Sequence, residues 1–267
     1  MPTTSPSDLN PTRLAQKLPP GNFGHPLHFY ESCESTNKIA SELARSGCDH
    51  GTTVLADEQT AGRGRRGSAW HSTAGLGLWL SVVIDLPDQV DNLPLTAACA
   101  VASAIGRLTS IAPKIKWPND LLFGDRKVSG VMGEMAGDRA VLGIGINVNH
   151  SPYDFPDEIQ HTATSIAIST DSKLDRTELL LCLLAELNDR LVVCRSGNSE
   201  KLLEEWTSRS CVLGRSVVVE EESDKQTETV EGTATAITAT GSLIVDTAQG
   251  LKEVITGHLR TQDAQQR

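Results

Sequence analysis

The chain has 267 residues, of which 39% are hydrophobic and 22% charged, and its formal net charge is -10 at pH 7. This length and balance predict a globular protein with one large domain, or one medium and one small domain, and they argue against a protein that binds nucleic acid through its overall charge. No apolar run approaches the roughly 18 residues of a membrane span, and the N-terminal stretch lacks the apolar core of a signal peptide. We therefore expect a soluble, cytoplasmic protein.

The six cysteines form no Cys-x-x-Cys pair and no zinc-like pairing with histidine. In a chain of this length without the spacing of a disulfide framework, reduced thiols are expected rather than bridges. They stand at positions Cys33, Cys48, Cys99, Cys182, Cys194 and Cys211.

Residues 1–24 are rich in Pro, Ser, Thr, Asn and Gly, which predicts a flexible N-terminal arm with a short helix around Thr12–Lys17. The arm is too short to hold a helix-turn-helix DNA-binding domain. A first strand is predicted at His28–Tyr30.

The polar run Ser35, Thr36 and Asn37 stands where a helix is predicted to begin, because apolar residues follow at helical spacing and Gly47 ends the pattern. Two interpretations stay open. The polar side chains cap the helix, or their hydroxyl and amide groups bind a polar heterocycle.

The most concentrated chemical signal is the stretch Asp57–Trp70, here called the Gly-Arg loop, which holds three glycines and three arginines within residues 62–67. Strands predicted at Thr52–Ala56 and Leu78–Ile84 flank it. Glycines let a backbone approach a ligand closely, and arginines offer fixed donors for carboxylate or phosphate. The loop is therefore predicted to wrap an anion.

Three other interpretations of the Gly-Arg loop compete with this one. Gly62, Gly64 and Gly67 match the spacing of a dinucleotide fingerprint, but a turn and a strand follow where that fingerprint requires a helix. Gly62 and Gly67-Ser68 nearly match a P-loop, but its lysine is missing. The third is a solvated basic surface loop.

Beyond a scaffold helix predicted over Pro94–Leu108, a second chemical cluster covers residues 114–134. It predicts a strand, a turn at Pro118-Asn119-Asp120, a short strand, a turn at Gly124-Asp125, and a strand that carries Lys127 inward. An exposed lysine at a sheet edge is the alternative for Lys127.

A strand with two glycines and two asparagines is predicted over Ala140–Asn149, and glycine within a buried strand often marks a close approach to the backbone. A capping box at Asp175 begins a long helix, and a second helix is predicted near Glu200–Trp206. From Val212 onward, short β-rich runs between turn signals predict a small separate β-barrel.

Five motifs in this order resemble those of biotin protein ligases. They are Ser35-Thr36-Asn37, the run from Gln59 to Trp70, Lys116-Trp117-Pro118-Asn119-Asp120, Arg126-Lys127 with Gly130, and Gly143-x-Gly145-x-Asn147. The resemblance covers about Phe29 to Asn149 and continues more weakly to the end of the chain.

The resemblance implies an α+β fold: a mixed sheet flanked by helices, related to class II aminoacyl-tRNA synthetases, plus a small C-terminal SH3-like β-barrel. The implied domains are the arm 1–24, a catalytic domain 25–210 and a C-terminal domain 211–267. Some members of the family carry an N-terminal winged helix and repress transcription. This chain is expected to be the monofunctional type without that DNA-binding domain, either a monomer or a homodimer.

The resemblance also implies a two-step reaction. ATP with Mg²⁺ activates biotin as biotinyl-5′-AMP, and a specific lysine of a biotin carboxyl carrier protein then takes the biotinyl group. Lys127 and Arg65 are the implied catalytic residues, and no metal ligand is assigned with certainty. The implied biotin-binding residues are Ser35, Thr36, Asn37, Gln59, Arg63, Gly64, Arg65, Lys127 and Gly145. The implied ATP-binding residues are Arg65, Arg66, Trp70, Lys116, Asn119, Asp120 and Asn147.

Elementary chemistry agrees with these roles. Carboxylate attack on the α-phosphorus brings two anions together, so oriented cations must already be present, and Arg65 and Lys127 fit that need. The Gly-Arg loop is expected to act as a lid over the adenylate. The alternatives are an acyl-adenylating transferase of the lipoate ligase type and a non-catalytic biotin-sensing regulator.

Overall fold

The structure, a computed structural model, describes residues 8–18, 23–85, 93–195, 199–223 and 226–261. Six α-helices and twelve strands lie in these ranges. The helices are α1 (Pro11–Lys17), α2 (Thr36–Arg45), α3 (Leu93–Thr109), α4 (Ile166–Thr170), α5 (Arg176–Arg195) and α6 (Ser199–Arg209). The strands are β1 (Leu27–Cys33), β2 (Thr53–Gln59), β3 (Gly77–Asp85), β4 (Lys114–Lys116), β5 (Asp120–Phe123), β6 (Arg126–Ala136), β7 (Arg139–Asn147), β8 (Ser216–Ser223), β9 (Gln226–Ile237), β10 (Leu243–Thr247), β11 (Gly250–Val254) and β12 (His258–Thr261).

The large sheet has seven strands in the order β1-β2-β3-β7-β6-β5-β4. β1 and β2 run parallel, and every other pair is antiparallel. The central strand β3 is an almost continuous buried apolar run, typical of a strand covered on both faces.

The two faces of the large sheet carry different layers, because successive side chains of a strand point to opposite sides. Leu78, Leu80 and Val82 of β3 join the main core, which also contains the buried residues of α3 and α5. On the opposite face, Val83 packs with Ala40 and Ala44 of α2. The candidate site lies on this α2 side.

The C-terminal strands form a five-stranded antiparallel sheet in the order β11-β10-β9-β8-β12. Its buried residues are continuous with the main core. At the junction, the indole of Trp117 donates to the Gly241 carbonyl at 2.9 Å, and the Cys211 amide donates to the Ile115 carbonyl at 3.0 Å. The α+β class, with a mixed sheet flanked by helices and a C-terminal β-sheet, is thus confirmed.

The N-terminal segment differs from the flexible arm expected over residues 1–24. The side chain of Asn10 caps α1, as expected of a helix that opens on proline, and Leu9, Leu14 and Leu18 are buried in the main core. The polar composition of this segment favoured a flexible arm, but its three leucines share one buried face. The short helix was correctly placed, while residues 1–7 and 19–22 lie outside the described ranges.

Most predicted elements are present, with ends shifted by a few residues. α4 and β12 were missed, because α4 is only five residues long and β12 four. All six cysteines are free thiols, as expected. None of the helices in the described part of the chain is long and apolar enough to cross a membrane.

Candidate active site

One cavity of about 690 Å³ opens between the α2 side of the large sheet, the Gly-Arg loop and the C-terminal sheet. All fifteen residues predicted for the site line it: Ser35, Thr36, Asn37, Gln59, Arg63, Gly64, Arg65, Arg66, Trp70, Lys116, Asn119, Asp120, Lys127, Gly145 and Asn147. Residues that are up to 112 positions apart in sequence therefore meet in one place. The individual role of each residue stays a prediction.

A polar cluster forms the inner end of the cavity. The Gln59 carboxamide oxygen accepts hydrogen bonds from the amide and hydroxyl of Thr36, at 2.8 and 3.1 Å. The Ser81 hydroxyl lies 2.6 Å from the Asn37 carboxamide oxygen and 2.8 Å from the Thr36 hydroxyl. Ser35 is the N-cap of α2 but makes no side-chain cap bond, so capping does not account for these polar side chains.

Glycines of the large sheet leave room for side chains that pack against the floor of the cavity. A Cβ on Gly143 of β7 would lie 2.1 Å from the Asn37 carboxamide oxygen, and one on Gly145 would lie 2.6 Å from the Trp70 ring. The neighbouring Gly130 of β6 pairs with Gly145. A Cβ on Gly130 would lie within 3.2 Å of the Trp70 and Lys127 side chains. The predicted close approach to this strand is present, and side chains from α2 and the Gly-Arg loop make it.

The Gly-Arg loop leaves β2, makes a 3-10 turn at Arg65–Gly67, and returns to β3. Arg65 points toward the C-terminal sheet: its guanidinium donates to the Asn119 carboxamide oxygen at 3.0 Å and to the hydroxyl of Thr256. Burial and the neighbouring Arg66 lower the pKa of Arg65, but a guanidinium stays charged in proteins. Arg63 and Arg66 are exposed at the rim.

Lys127 lies near the start of β6 and points into the cavity rather than out from a sheet edge. Its ammonium is 2.6 Å from the Asp120 carboxylate and 5.0 Å from the centroid of the Trp70 ring. Its backbone pairs with the segment of Thr162 and Thr164. A cation fixed by a carboxylate and an aromatic face is oriented before any ligand arrives.

The far end of the cavity is more apolar. Phe155, Ile159 and Ala163 line it together with Asn147, whose amide donates to the Thr164 carbonyl at 3.0 Å. The indole Nε1 of Trp70 is buried without a hydrogen-bond partner among the described residues. An apolar surface with a few fixed polar groups suits a flat heterocycle.

Several contributors to the site were missed by the sequence analysis. Ser81 is a hydroxyl within the apolar run of β3, which is a readable signal for a polar contact. Ser72 accepts from the Gln59 amide at 2.9 Å, and Glu134 accepts from Asn37 at 3.2 Å. Thr256 and His258 come from the C-terminal sheet, and no local pattern marks them.

Two carboxylates line the cavity, Asp120 and Glu220. The described residues contain no group of three or more His, Cys, Asp or Glu side chains arranged to hold a metal. Mg²⁺ is usually bound through one or two carboxylates together with substrate phosphates, and this donor set fits that mode. Asp120, beside Lys127, is the candidate protein ligand.

Comparisons with known proteins agree with this geometry. The model of the Biotin/lipoate A/B protein ligase family matches residues 29–151, and that of the Biotin protein ligase C terminal domain matches residues 212–258. A solved structure, "Biotin protein ligase from Aquifex aeolicus in complex with biotin and ATP", is similar with a TM-score of 0.80 and 31% identity, covering 88% of this chain and 99% of that one.

Two relatives have similar sequences over most of their length. "Bifunctional ligase/repressor BirA" of Bacillus subtilis is 34% identical over 270 residues, covering 95% of this chain and 79% of the relative. "Biotin--[acetyl-CoA-carboxylase] ligase" of Mycobacterium tuberculosis is 35% identical over 213 residues, covering 77% and 78%. With one cavity built from all five motifs and relatives matched over most of their length, the chain belongs to the biotin protein ligase family.

Proposed function

We propose that this protein activates biotin with ATP to form biotinyl-5′-AMP and transfers the biotinyl group to a specific lysine of a biotin carboxyl carrier protein. The observation that carries the proposal is the position of two oriented cations, Arg65 and Lys127, in one cavity between a polar cluster and an apolar end. We assign this chemistry to the domain of residues 25–210, and the C-terminal region contributes Glu220, Gly257, His258 and Leu259 to the cavity wall.

The polar cluster suits the ureido ring of biotin, which offers one carbonyl acceptor and two N–H donors. Thr36, Asn37, Gln59 and Ser81 supply hydroxyl and amide groups that already hydrogen-bond to one another. Their orientation is therefore set before binding, which lowers the entropic cost of ordering them around a ligand. Ser35 and the backbone at Gly145 are proposed to complete this pocket.

In the first step, a biotin carboxylate oxygen attacks the α-phosphorus of ATP, and the bond to pyrophosphate breaks. Lys127 and Arg65 are proposed to lie against the attacking carboxylate and the α-phosphoryl oxygens, where negative charge accumulates. Mg²⁺ bound with ATP supplies further charge neutralisation at the phosphates. Asn119 holds one nitrogen of Arg65, and Asp120 holds Lys127, so both cations are positioned from the same turn.

The remaining nucleotide contacts follow from the cavity walls. We propose that adenine packs against Trp70 and the apolar end near Asn147, while Arg63, Gly64 and Arg66 close over the phosphate. This closure keeps water from the mixed anhydride, which hydrolyses readily.

In the second step, the neutral amine of the carrier lysine attacks the acyl carbon of the adenylate, and AMP leaves. The amine must first lose a proton. Asp120 and Lys116, at the rim beside the C-terminal sheet, are proposed to contact the incoming lysine. We infer a cytoplasmic location from the free cysteines. From the acidic net charge we infer that the macromolecular partner is a carrier protein rather than nucleic acid.

The test is pyrophosphate release with ATP, magnesium and either biotin or lipoate, before and after a carrier domain is added. We expect release with biotin and a mass gain of one biotinyl group on the carrier lysine. Release with lipoate alone would assign the protein to lipoate chemistry, and binding of biotin without any release would make it a sensor.

A further inference from the structure

Arg176, the first residue of α5, carries a charged side chain that is almost completely buried outside the cavity. Its guanidinium donates to the Asp8 carboxylate at 2.5 Å, to the Asp57 carboxylate at 2.7 Å and to the Gly77 carbonyl at 3.0 Å. We call Asp8, Asp57, Gly77 and Arg176 the Arg176 cluster. Neither the predicted site nor the proposed chemistry includes it.

The Arg176 cluster joins the two stems of the Gly-Arg loop. Asp57 lies near the end of β2, which leads into that loop, and Gly77 begins β3, the strand that follows it. The Asp57 carboxylate also accepts from the Gly75 amide at 3.3 Å, so it contacts the returning stem directly. The guanidinium thus ties the end of β2 to the start of β3, next to the Ala56–Trp79 pair where these strands also pair directly.

The first described residue of the chain, Asp8, supplies part of the charge that compensates Arg176. A buried guanidinium cannot lose its proton, so it needs carboxylates in contact with it. Asp57 is one of them, and another is Asp8, which lies before α1 and also accepts from the Arg176 backbone amide at 2.8 Å. The Asp8 carbonyl accepts from the Thr177 hydroxyl at 2.5 Å, so Asp8 packs against the first turn of α5.

We propose that the Arg176 cluster positions the Gly-Arg loop, and that Asp8 thereby makes the N-terminal segment part of the lid over the adenylate. This inference rests on the proposed function. When Asp8 is lost, the Arg176 guanidinium loses a carboxylate partner that holds it in place, so it holds Asp57 and Gly77 at the ends of β2 and β3 less firmly. Asp8 and Arg176 are positioning residues, because they act through the loop and line no part of the cavity.

The same segment offers a matched control. Arg13 of α1 pairs with Asp175 at 2.7 Å and with Glu178 at 2.5 Å, on the exposed side of α5. Those pairs hold the same segment to the same helix but do not contact the loop stems. Asp8→Asn and Arg13→Gln therefore separate loop positioning from simple attachment of the segment.

The experiment compares the full-length protein with its Asp8→Asn and Arg13→Gln variants. The first measurement is release of biotinyl-5′-AMP into solution when biotin, ATP and magnesium are present without carrier. We expect Asp8→Asn to release it on the order of tenfold faster, the scale of one charge-assisted hydrogen bond, and Arg13→Gln to match the parent protein. The second measurement is the rate of trypsin cleavage after Arg63, Arg65 and Arg66 with biotin and ATP bound, which we expect to rise for Asp8→Asn alone.

The result that would overturn the proposal is equal behaviour of the two variants in both measurements, whether both are unchanged or both are impaired. Cleavage of the ligand-free proteins, measured in parallel, reports the loop without any turnover. If the parent protein forms no adenylate, the proposed function fails, and cleavage of the ligand-free variants still decides whether Asp8 holds the loop.

Discussion

At the scale of single residues, the site depends on side chains whose charge and orientation are set by neighbours. Lys127 is the clearest example, because a carboxylate and an aromatic ring hold its ammonium in the cavity. A cation fixed in this way need not reorganise when charge develops on the phosphoryl oxygens. Its contribution should therefore appear in the rate of adenylate formation.

Replacement of Lys127 with alanine is expected to slow adenylate formation by about a hundredfold or more, the scale for losing one oriented electrostatic group. Single-turnover formation of biotinyl-5′-AMP measures the effect. Lys114→Ala is the control, because Lys114 is an exposed lysine of the same sheet that does not line the cavity. A loss below tenfold for Lys127→Ala would remove this residue from the proposed role.

At the scale of elements, the glycines of β7 set where α2 can lie. Gly143 leaves room for the Asn37 carboxamide, which in turn lies 2.6 Å from Ser81. Asn37 has a short side chain in the first turn of α2, so it cannot move away from Gly143 unless the start of the helix also moves. The element that packs against the sheet is thus also the element that forms the polar cluster.

We expect Gly143→Ala to raise the KM for biotin by about tenfold or more, since the new methyl group displaces Asn37 and breaks a hydrogen bond in the pocket. The KM for ATP should change little, because its proposed contacts lie elsewhere. Gly133→Ala on β6 is the control: its Cβ would meet Pro94 at an ordinary 3.4 Å. A KM for biotin that is unchanged in Gly143→Ala would contradict this assignment.

The elements differed in how far the sequence could predict them. Helices α3 and α5 and strand β3 were predicted from local periodicity. The predicted site residues line one cavity, and their individual roles stay predictions. Ser81, Thr256 and Arg176 were not identified as contributors, because their partners lie 44 to 191 positions away in the chain. Their roles follow from which strands pair and how the C-terminal sheet docks. No local pattern marks these roles for Thr256 and Arg176, whereas Ser81 stands out as a hydroxyl within an apolar run.

At the scale of the whole molecule, the cavity is shared between two sheets. Thr256, between β11 and β12 of the C-terminal sheet, accepts from Arg65, and Gly257 and His258 line the wall beside it. Burial, with nearby Lys116 and Arg260, lowers the pKa of His258, so its imidazole adds little charge to this wall at neutral pH. We expect the contact with Arg65 to be one way in which the C-terminal sheet affects catalysis.

Thr256→Val tests this coupling, since valine keeps the shape of threonine and removes the hydroxyl. We expect the KM for ATP to rise by about tenfold to a hundredfold, the range for one hydrogen bond to a charged group, with little loss of thermal stability. Thr235→Val, at an exposed position of β9, is the control. If both variants match the parent protein, the C-terminal sheet does not position Arg65.

The stability of the whole fold should depend on pH through His150. This imidazole is buried, stacks on Phe155 and has no hydrogen-bond partner among the described residues for either ring nitrogen. Burial lowers its pKa to about 4. Between pH 6.5 and about 4 the unfolded chain binds a proton that the folded protein excludes, so stability falls as the pH falls through this window.

The loss amounts to about 3 kcal/mol at most across that window. Urea unfolding at pH 7 and pH 4.5 measures it, with His150→Phe expected to reduce the difference and His161→Gln, at an exposed position, to leave it unchanged. A pH dependence that persists in full in His150→Phe would show that other groups cause it.

The tryptophans give the protein an intrinsic optical reporter. Of the four, Trp79, Trp117 and Trp206 are 0 to 1% exposed, while Trp70 is partly exposed on the cavity wall beneath Lys127. Nucleotide that stacks on its indole should quench the emission of Trp70, and Trp70→Phe should abolish most of the signal. Titrating this fluorescence would follow occupancy of the cavity without a label, a carrier protein or any turnover.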